Sequence, residues 1–140
     1  MSKNILIRNG FLATSQNTSK VDIFISNGKI SEIGQLSDID ADYTIDASDK
    51  YIVPGIIDPQ VHFRDPGLTH KEDLRTGSMA AAAGGVTTFF EMPNTTPATT
   101  TIEKLNEKYA VANKKSLVNY SFFLGATENN IEEIKKLKGN

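Results

Sequence analysis

The sequence changes its hydrophobic pattern once, near residue 55, and this change constrains the fold more than any other feature. Before it, up to about Val53, short apolar runs alternate with polar positions and are separated by Asn-Gly pairs, a pattern typical of antiparallel strands. After it, runs of strand length alternate with stripes of helical spacing, which predicts the order β-α-β-α-β-α. Strands that alternate with helices form parallel sheets, so we expect a β module at 1–54 and an α/β module at 55–140.

Turn residues locate the expected strands. In the first module, turns are expected at Asn9-Gly10 and Asn27-Gly28, because both central residues of a tight hairpin turn need a positive φ. In the second module, strands are expected at 56–63, 86–92 and 120–124. Three β-α units cannot close a barrel, so we interpret them as the opening units of a (β/α)8 barrel of the TIM type, preceded by a small N-terminal β module.

The expected helices of the second module carry recognisable end signals. Two segments fit a capping box, Thr69 to Glu72 and Thr100 to Glu103, in which the Thr caps backbone N–H groups and the Glu reaches back. Gly84-Gly85 should end the first helix, since glycine adopts the left-handed cap conformation at little cost. A third helical stripe begins at Ile131, with acidic residues early and lysines late, as the helix dipole favours.

The stretch IIDPQVHFRDPG, residues 56–67, raises the main functional question. Four polar side chains occupy every second position of an apolar strand: Asp58, Gln60, His62 and Arg64. Regular alternation would put all four on one face, where buried polar groups are costly unless they are paired or bound to a metal. Barrel active sites lie at the carboxyl ends of the strands, which is where His62 and Arg64 stand. His62 is therefore a candidate metal ligand, and Arg64 offers a planar fork for a substrate carboxylate.

Asn94, which follows the second strand, should lie beside the end of the first strand, because sequential β-α units are usually neighbours. Each candidate also has an ordinary structural interpretation. His62 also fits a core or loop histidine, Arg64 an ion pair with Asp65, and Asn94 a turn residue. Two further residues are assigned structural roles. Glu91 is expected to form an ion pair on the opposite side from Asn94, and His70 is expected to lie in a surface loop.

Composition argues against several classes of protein. The net charge is −2 without a long basic run, which is not typical of a nucleic-acid-binding protein. No stretch approaches the roughly 20 apolar residues of a membrane span, and the N-terminus lacks the apolar core of a signal peptide. The chain has no cysteine, which excludes disulfides and thiolate metal sites. These features fit a cytoplasmic protein.

The segment GIIDPQVHFRDPGLTHKEDLRTGSMAAAAGGVTTFFEMPNTTP, residues 55–97, resembles the dihydroorotase family of the cyclic amidohydrolase superfamily. HFRDPG and MPNTTP together carry the resemblance, and YIVPGIID and YSFFLGAT extend it to essentially the whole chain, as the N-terminal third of a family member. The resemblance implies a (β/α) barrel flanked by a β-sandwich built from both chain ends. It also implies reversible cyclisation of N-carbamoyl-L-aspartate to dihydroorotate in pyrimidine biosynthesis, with one or two divalent metal ions, usually zinc.

Carried over residue by residue, the resemblance makes His62 the second histidine of the family's His-x-His metal pair. It makes Arg64 and Asn94 the residues that hold the substrate carboxylate, and this Arg is not typical of hydantoinases and allantoinases. Gln60 stands where the first metal histidine is expected. A glutamine oxygen is a poorer zinc ligand than imidazole and suits harder cations, so we expect the metal at that position to be weakened, shifted or absent.

The resemblance also implies that the rest of the active site comes from later strands. These would supply the family's bridging modified lysine, its other metal histidines and its catalytic aspartate. We therefore expect no catalytic residue within 1–140 and no turnover by this segment alone.

Three functions remain open at this point. The first is a dihydroorotase. The second is a non-catalytic barrel that serves as a scaffold for a partner such as aspartate transcarbamoylase, and Gln60 is its support. The third is another cyclic amidase, of the hydantoinase or allantoinase type. The sequence does not decide the oligomeric state, and a homodimer is among the alternatives.

Overall fold

The computed structural model describes residues 3–137 as two compact units that divide between Pro54 and Gly55. Residues 138–140, at the end of the expected third β-α unit, lie outside the described part of the chain. Each unit has its own sheet, of five strands in the first and three in the second. Across residues 3–137, no helix is both long and apolar enough to span a bilayer.

The first unit is a five-stranded mixed sheet. Its strands are β1 (Ile5–Ala13), β2 (Thr18–Ser26), β3 (Lys29–Gly34), β4 (Tyr43–Asp46) and β5 (Tyr51–Ile52). β1 is central, because it pairs with β2 in the antiparallel sense and with β4 and β5 in the parallel sense. The predicted hairpin turn at Asn27-Gly28 is confirmed: it joins β2 to β3, with φ values of 53° and 72°.

The predicted turn at Asn9-Gly10 is wrong, because both residues lie inside β1. The pairing of β1 with β2 slips between Ile7 and Gly10, so β1 carries one extra residue in a β-bulge, and Asn9 has a φ of 64°. The carboxylate of Asp22 accepts a hydrogen bond from the Asn9 N–H at 2.8 Å. A Cβ at Gly10 would lie 2.4 Å from a side-chain carbon of Ile52, so glycine lets β5 approach β1 closely. The positive φ indicated by the sequence therefore serves a bulge rather than a turn.

The second unit follows the predicted alternation of strands and helices. Its elements are β6 (Ile56–Val61), α1 (Leu74–Ala83), β7 (Val86–Glu91), α2 (Ile102–Lys115), β8 (Asn119–Phe122) and α3 (Ile131–Lys135). The three strands form a parallel sheet in the order β6-β7-β8. The carboxyl ends of β6 and β7 therefore lie side by side at one edge of the sheet.

The core of the second unit lies between the sheet and its first two helices. Phe89 is fully buried at its centre and contacts the rings of Phe63 and Phe122 edge to face, with centroids 4.7 Å and 6.5 Å away. The helices contribute Leu74, Leu105 and Ala112. A Cβ at Gly77 would lie 2.5 Å from the Phe63 ring, so α1 approaches this ring closely. The core thereby holds Phe63, the residue between the two candidates His62 and Arg64.

Helix α1 begins later than predicted. Asp73, not Thr69, is the N-cap, and its carboxylate accepts hydrogen bonds from the backbone N–H groups of Arg75 and Thr76. The bond from Thr76 is the largest cause that holds the pKa of Asp73 below its usual value. The predicted capping box is wrong here because a carboxylate four residues further on satisfies the first N–H groups of the helix.

Helix α2 begins one residue later than its predicted box. Thr101 rather than Thr100 is the N-cap and accepts from the Lys104 N–H at 3.3 Å. The predicted end of α1 is confirmed, because the helix stops at Ala83 and Gly85 takes a φ of 80°. These shifts of cap position leave the order of the elements unchanged.

Candidate active site

Between Asp58 and Val61, strand β6 carries one extra residue against β7. Asp58 pairs with Phe89 and Val61 pairs with Glu91, so three steps along β6 match two steps along β7. The extra residue lies around Pro59, which has no N–H to contribute to the ladder. An inserted residue reverses the alternation of the side chains beyond it.

The bulge changes the predicted polar face. Asp58 lines a cavity of about 210 Å³ together with Val61 and Phe63, on the side that α1 covers. The prediction that Asp58 shares a face with His62 is therefore wrong. Gln60 is exposed, and its backbone N–H donates to the Asp58 carboxylate at 3.0 Å.

His62 lies just beyond β6 and contacts Asn94, just beyond β7. Nδ1 of His62 and Oδ1 of Asn94 are 2.9 Å apart. An amide oxygen only accepts hydrogen bonds, so a neutral imidazole here donates through Nδ1 and keeps its lone pair on Nε2. That lone pair is the group with which a histidine binds a metal ion. The structure thus brings together two residues that the sequence placed at neighbouring strand ends.

Arg64 approaches the same asparagine. One terminal nitrogen of its guanidinium donates a long hydrogen bond of 3.4 Å to the backbone carbonyl of Asn94. The φ of Arg64 is 65°, in the left-handed region, where a residue other than glycine costs about 1–2 kcal/mol. A turn therefore sets the position of Arg64, and regular strand alternation does not. The guanidinium and the Asn94 amide form neighbouring donors at this edge of the sheet.

A buried ion pair supports the backbone at Arg64. Oε1 of Glu91 accepts a hydrogen bond from the Arg64 N–H at 3.0 Å. Oε2 of Glu91 lies 2.8 Å from Nζ of Lys108, and the two side chains are 0% and 2% exposed. The second contact is an ion pair rather than an aligned hydrogen bond. Burial raises the pKa of Glu91, and the neighbouring Lys108 opposes that rise.

The predicted structural role of Glu91 in an ion pair agrees with this contact, but its partner was not predicted from the sequence. Lys108 stands between Leu105 and Ala112 on the buried side of α2. A lysine on an apolar helical stripe needs a buried partner, because Lys is almost never fully buried unpaired. The position of Lys108 among apolar residues of α2 was therefore the sequence signal from which a buried ion pair could have been predicted.

The loops that follow β6 and β7 are joined through their backbones. The Thr96 N–H donates to the Pro66 carbonyl at 3.1 Å. Gly67 has a φ of 88°, and a Cβ there would lie 1.9 Å from the backbone oxygen of Thr96. Only glycine fits this approach, which keeps the HFRDPG segment against the MPNTTP segment.

Asp65 and His70 do not take part in the candidate site. The buried carboxylate of Asp65 lies 2.6 Å from Nζ of Lys115, so the alternative in which Asp65 pairs with Arg64 is not observed. His70 is exposed in a turn, as the sequence indicated.

The described residues offer only part of a metal site. No group of three or more His, Cys, Asp or Glu residues within 3–137 is arranged to hold a metal ion. His62 suits a metal ligand because its contact with Asn94 leaves the Nε2 lone pair to bind one, and the exposed amide of Gln60 is the second candidate donor. A zinc ion has four ligands, of which His62 and Gln60 would account for two.

A family model of dihydro-orotase-like proteins matches residues 49–138, well over half of the chain. The chain belongs to this family. It is 44% identical to an allantoinase of Desulfitobacterium hafniense over 135 residues, which are 96% of this chain and 30% of that protein. It is 43% identical to a dihydroorotase of Lactobacillus johnsonii over 114 residues, which are 81% of this chain and 26% of that protein.

The solved structure of an L-hydantoinase (dihydropyrimidinase) from Arthrobacter aurescens matches with a TM-score of 0.91 and 34% identity, over 96% of this chain and 30% of that one. The chain therefore spans about 30% of the length of relatives that it matches over nearly its whole length. Allantoinases, dihydroorotases and a hydantoinase all occur among these relatives, which places the chain in the cyclic amidohydrolase superfamily. They do not select one substrate, and they do not support the use of Arg64 to set hydantoinases and allantoinases aside.

Proposed function

We propose that this chain is the amino-terminal part of a metal-dependent dihydroorotase, which interconverts N-carbamoyl-L-aspartate and dihydroorotate in pyrimidine biosynthesis. The observation that carries the proposal is the approach of Arg64 to Asn94 at the ends of two neighbouring parallel strands, beside His62. Dihydroorotate bears a carboxylate on its ring, which hydantoin and allantoin lack. A guanidinium and an amide are the donors that such a carboxylate needs.

Each residue of the site then has a defined role. Arg64 donates to the substrate carboxylate, and Asn94 donates through its amide nitrogen while its oxygen accepts from His62. His62 would hold the metal ion through its Nε2 lone pair, and Gln60 would be a weaker second ligand. A divalent ion held there, zinc in this proposal, would supply Lewis-acid chemistry toward the ring amide carbonyl and toward water. The described residues therefore bind and orient the substrate, and we assign no catalytic acid or base among them.

Hydrolysis of another cyclic amide is the second candidate function. The 44% identity to an allantoinase and the TM-score of 0.91 against an L-hydantoinase favour it. In that case Arg64 would face a neutral substrate and could not form a charge-assisted hydrogen bond to a carboxylate. The two candidates therefore differ in the charge of the group that Arg64 meets.

The experiment compares substrates with the full-length protein that contains this chain, loaded with zinc. Turnover is measured on dihydroorotate, hydantoin and allantoin. Because hydrogen bonds to charged groups are worth about 1.5–3 kcal/mol, we expect kcat/KM to favour dihydroorotate by about tenfold to a hundredfold or more. A preference for hydantoin or allantoin would contradict the proposal and support the second candidate. No turnover of any of the three by metal-loaded protein would instead support the non-catalytic scaffold.

We also propose that the second unit opens a (β/α)8 barrel and that the first unit contributes to a β-sandwich. The neighbour order β6-β7-β8 supports the barrel. Ile56 and Ile57 of β6 also support it, because within residues 3–137 these apolar side chains are 51% and 60% exposed, as expected of a strand that packs against further barrel strands. A cytoplasmic location, a homodimer and an association with aspartate transcarbamoylase stay predictions. Size-exclusion chromatography of the full-length protein, alone and with that partner, tests the last two.

A further inference from the structure

The backbone at Arg64 leaves the sheet where the hydrogen-bonded ladder has ended. The last backbone hydrogen bond between β6 and β7 runs from the Met92 N–H to the Val61 carbonyl at 3.0 Å. The Arg64 N–H lies beyond that point and donates to a side chain, Oε1 of Glu91, at 3.0 Å. Since Arg64 has a φ of 65°, its conformation persists only if its surroundings stabilise it. The Glu91 carboxylate accepts from the N–H of this residue, and the Arg64 carbonyl accepts from the Leu68 N–H at 3.0 Å; of these two contacts, only the one with Glu91 comes from another strand.

Lys108 makes it possible for Glu91 to take this role. An unpaired carboxylate so close to Arg64 would attract the guanidinium and compete with Asn94 and the substrate. Lys108 neutralises the carboxylate at 2.8 Å, and its Nζ also donates to the Met92 carbonyl at 3.4 Å. The Nζ lies 4.8 Å from the centroid of the Phe122 ring, which adds a cation–π contact. The paired carboxylate can therefore hold the Arg64 backbone and leave the guanidinium directed at Asn94.

We propose that Glu91, neutralised by Lys108, is a positioning residue that fixes the left-handed turn at Arg64 and so directs the guanidinium toward the substrate carboxylate. This inference rests on the proposed function, in which Arg64 binds that carboxylate. A buried ion pair is weak evidence for a role in stability alone, because apolar replacements of similar volume are often neutral or stabilising. The bond from Glu91 to the Arg64 N–H is what links this pair to substrate binding.

The test compares two double variants of the full-length protein that both remove the buried charges. Glu91→Gln with Lys108→Met keeps an oxygen that accepts the Arg64 N–H, whereas Glu91→Leu with Lys108→Met does not. We expect the KM for dihydroorotate to stay near the wild-type value in the first and to rise about tenfold in the second, with a smaller change in kcat. Thermal unfolding of both variants compares their stabilities. Equal KM values in the two variants would overturn the inference.

A thermodynamic cycle separates positioning from general damage to the fold. In an Arg64→Ala background, Glu91→Leu with Lys108→Met should raise KM no further, because the group being positioned is gone. An equal rise of KM in both backgrounds would mean that the pair is merely structural, and the inference would be wrong.

A smaller change decides the question if the Leu variant does not fold. Glu91→Asp keeps the negative charge near Lys108 but withdraws the carboxylate from the Arg64 N–H by one methylene. A raised KM with kcat retained supports positioning, and an unchanged KM refutes it.

Arg64→Ala distinguishes failure of the proposed function from failure of the positioning role. If it leaves KM unchanged, the proposed function and this inference both fail; if it raises KM while the Glu91 variants do not, only this inference fails.

Discussion

Nδ1 of His62 lies 2.9 Å from Oδ1 of Asn94, so that a side-chain hydrogen bond joins the ends of two neighbouring parallel strands. The bond orients the imidazole ring and places its proton on Nδ1, which leaves the Nε2 lone pair open for the proposed role of His62 as a metal ligand. The same asparagine is a proposed donor to the substrate carboxylate. In the proposed function, metal binding and substrate binding are therefore coupled through the Asn94 side chain.

Asn94→Ala should weaken zinc binding even though Asn94 is not a proposed ligand. Outer partners of metal-binding histidines typically contribute tenfold to a hundredfold in affinity, and we expect a loss of about that size in the full-length protein. Competition with a chromophoric chelator measures the affinity. Asn113→Ala, on the exposed surface of α2, is the matched control and should change nothing. Unchanged zinc affinity in Asn94→Ala would count against the orientation of His62 described above.

His62→Ala should reduce the amount of metal that the full-length protein retains, because the variant loses the imidazole donor of this site. Elemental analysis after dialysis gives the metal content per protein molecule. The chain offers a control in its only other histidine, His70, which is exposed in a turn and whose replacement by Ala should leave the metal content unchanged. Full occupancy in His62→Ala would refute the assignment of this residue.

Arg64→Ala should lower kcat/KM for dihydroorotate by about tenfold to a hundredfold, the range expected for one hydrogen bond to a charged group. Its effect on the free energy of unfolding should be small, about 0.5 kcal/mol or less, because within residues 3–137 the guanidinium makes only a long hydrogen bond. Steady-state kinetics and chemical denaturation measure the two effects. Arg75→Ala, at an exposed position of α1, controls for loss of a positive charge. An unchanged kcat/KM in Arg64→Ala would exclude the carboxylate role.

Gly67→Ala should disrupt the contact between the two loops of the site. The substitution forces a Cβ onto the Thr96 carbonyl and adds the strain of a positive φ. Gly28→Ala isolates the second effect, since Gly28 also has a positive φ, 72°, but a Cβ added there would meet nothing within 4 Å. We expect Gly28→Ala to cost about 1–2 kcal/mol and Gly67→Ala at least about 1 kcal/mol more. Equal shifts of the denaturation midpoint in the two variants would contradict the described loop contact.

The stability of the first unit should fall in acid because of Asp22. Its buried carboxylate accepts hydrogen bonds from the N–H groups of Asn9 and Leu36, at 2.8 Å and 3.1 Å. These bonds, that from Asn9 foremost, lower the pKa of Asp22 below its usual value of 3.8. A carboxyl group with a lower pKa in the folded state binds fewer protons there, so its stabilising contribution is present above pH 3.8 and is lost as the pH falls through the folded-state pKa.

Urea denaturation followed between pH 6 and pH 3 checks this dependence. Asp22→Asn should reduce the stability near neutral pH and flatten its decline in acid. Asp40→Asn, at an exposed position, should preserve the wild-type decline. An identical decline in Asp22→Asn and the wild type would show that Asp22 does not carry the effect.

Local patterns in the sequence determined the order of the elements and the neighbourhood of the site. Hydrophobic periodicity depends only on residues within one element, so it correctly predicted the alternation of strands and helices from β6 onward. The Asn27-Gly28 turn was predictable for the same reason, because its two positive φ values are a local requirement. The meeting of His62 and Asn94 followed from the rule that successive parallel strands are neighbours.

Only the tertiary structure decided where each polar side chain lies within that neighbourhood. The bulges at Asn9-Gly10 and near Pro59 depend on how one strand is paired with another, and a single inserted residue moved Asp58 away from the face of His62. The left-handed turn at Arg64 likewise depends on Glu91, which lies on another strand and is itself paired with Lys108 of a helix. These contacts join residues that are distant along the chain, and their geometry arises when the core packs, so no local pattern in the sequence specifies it.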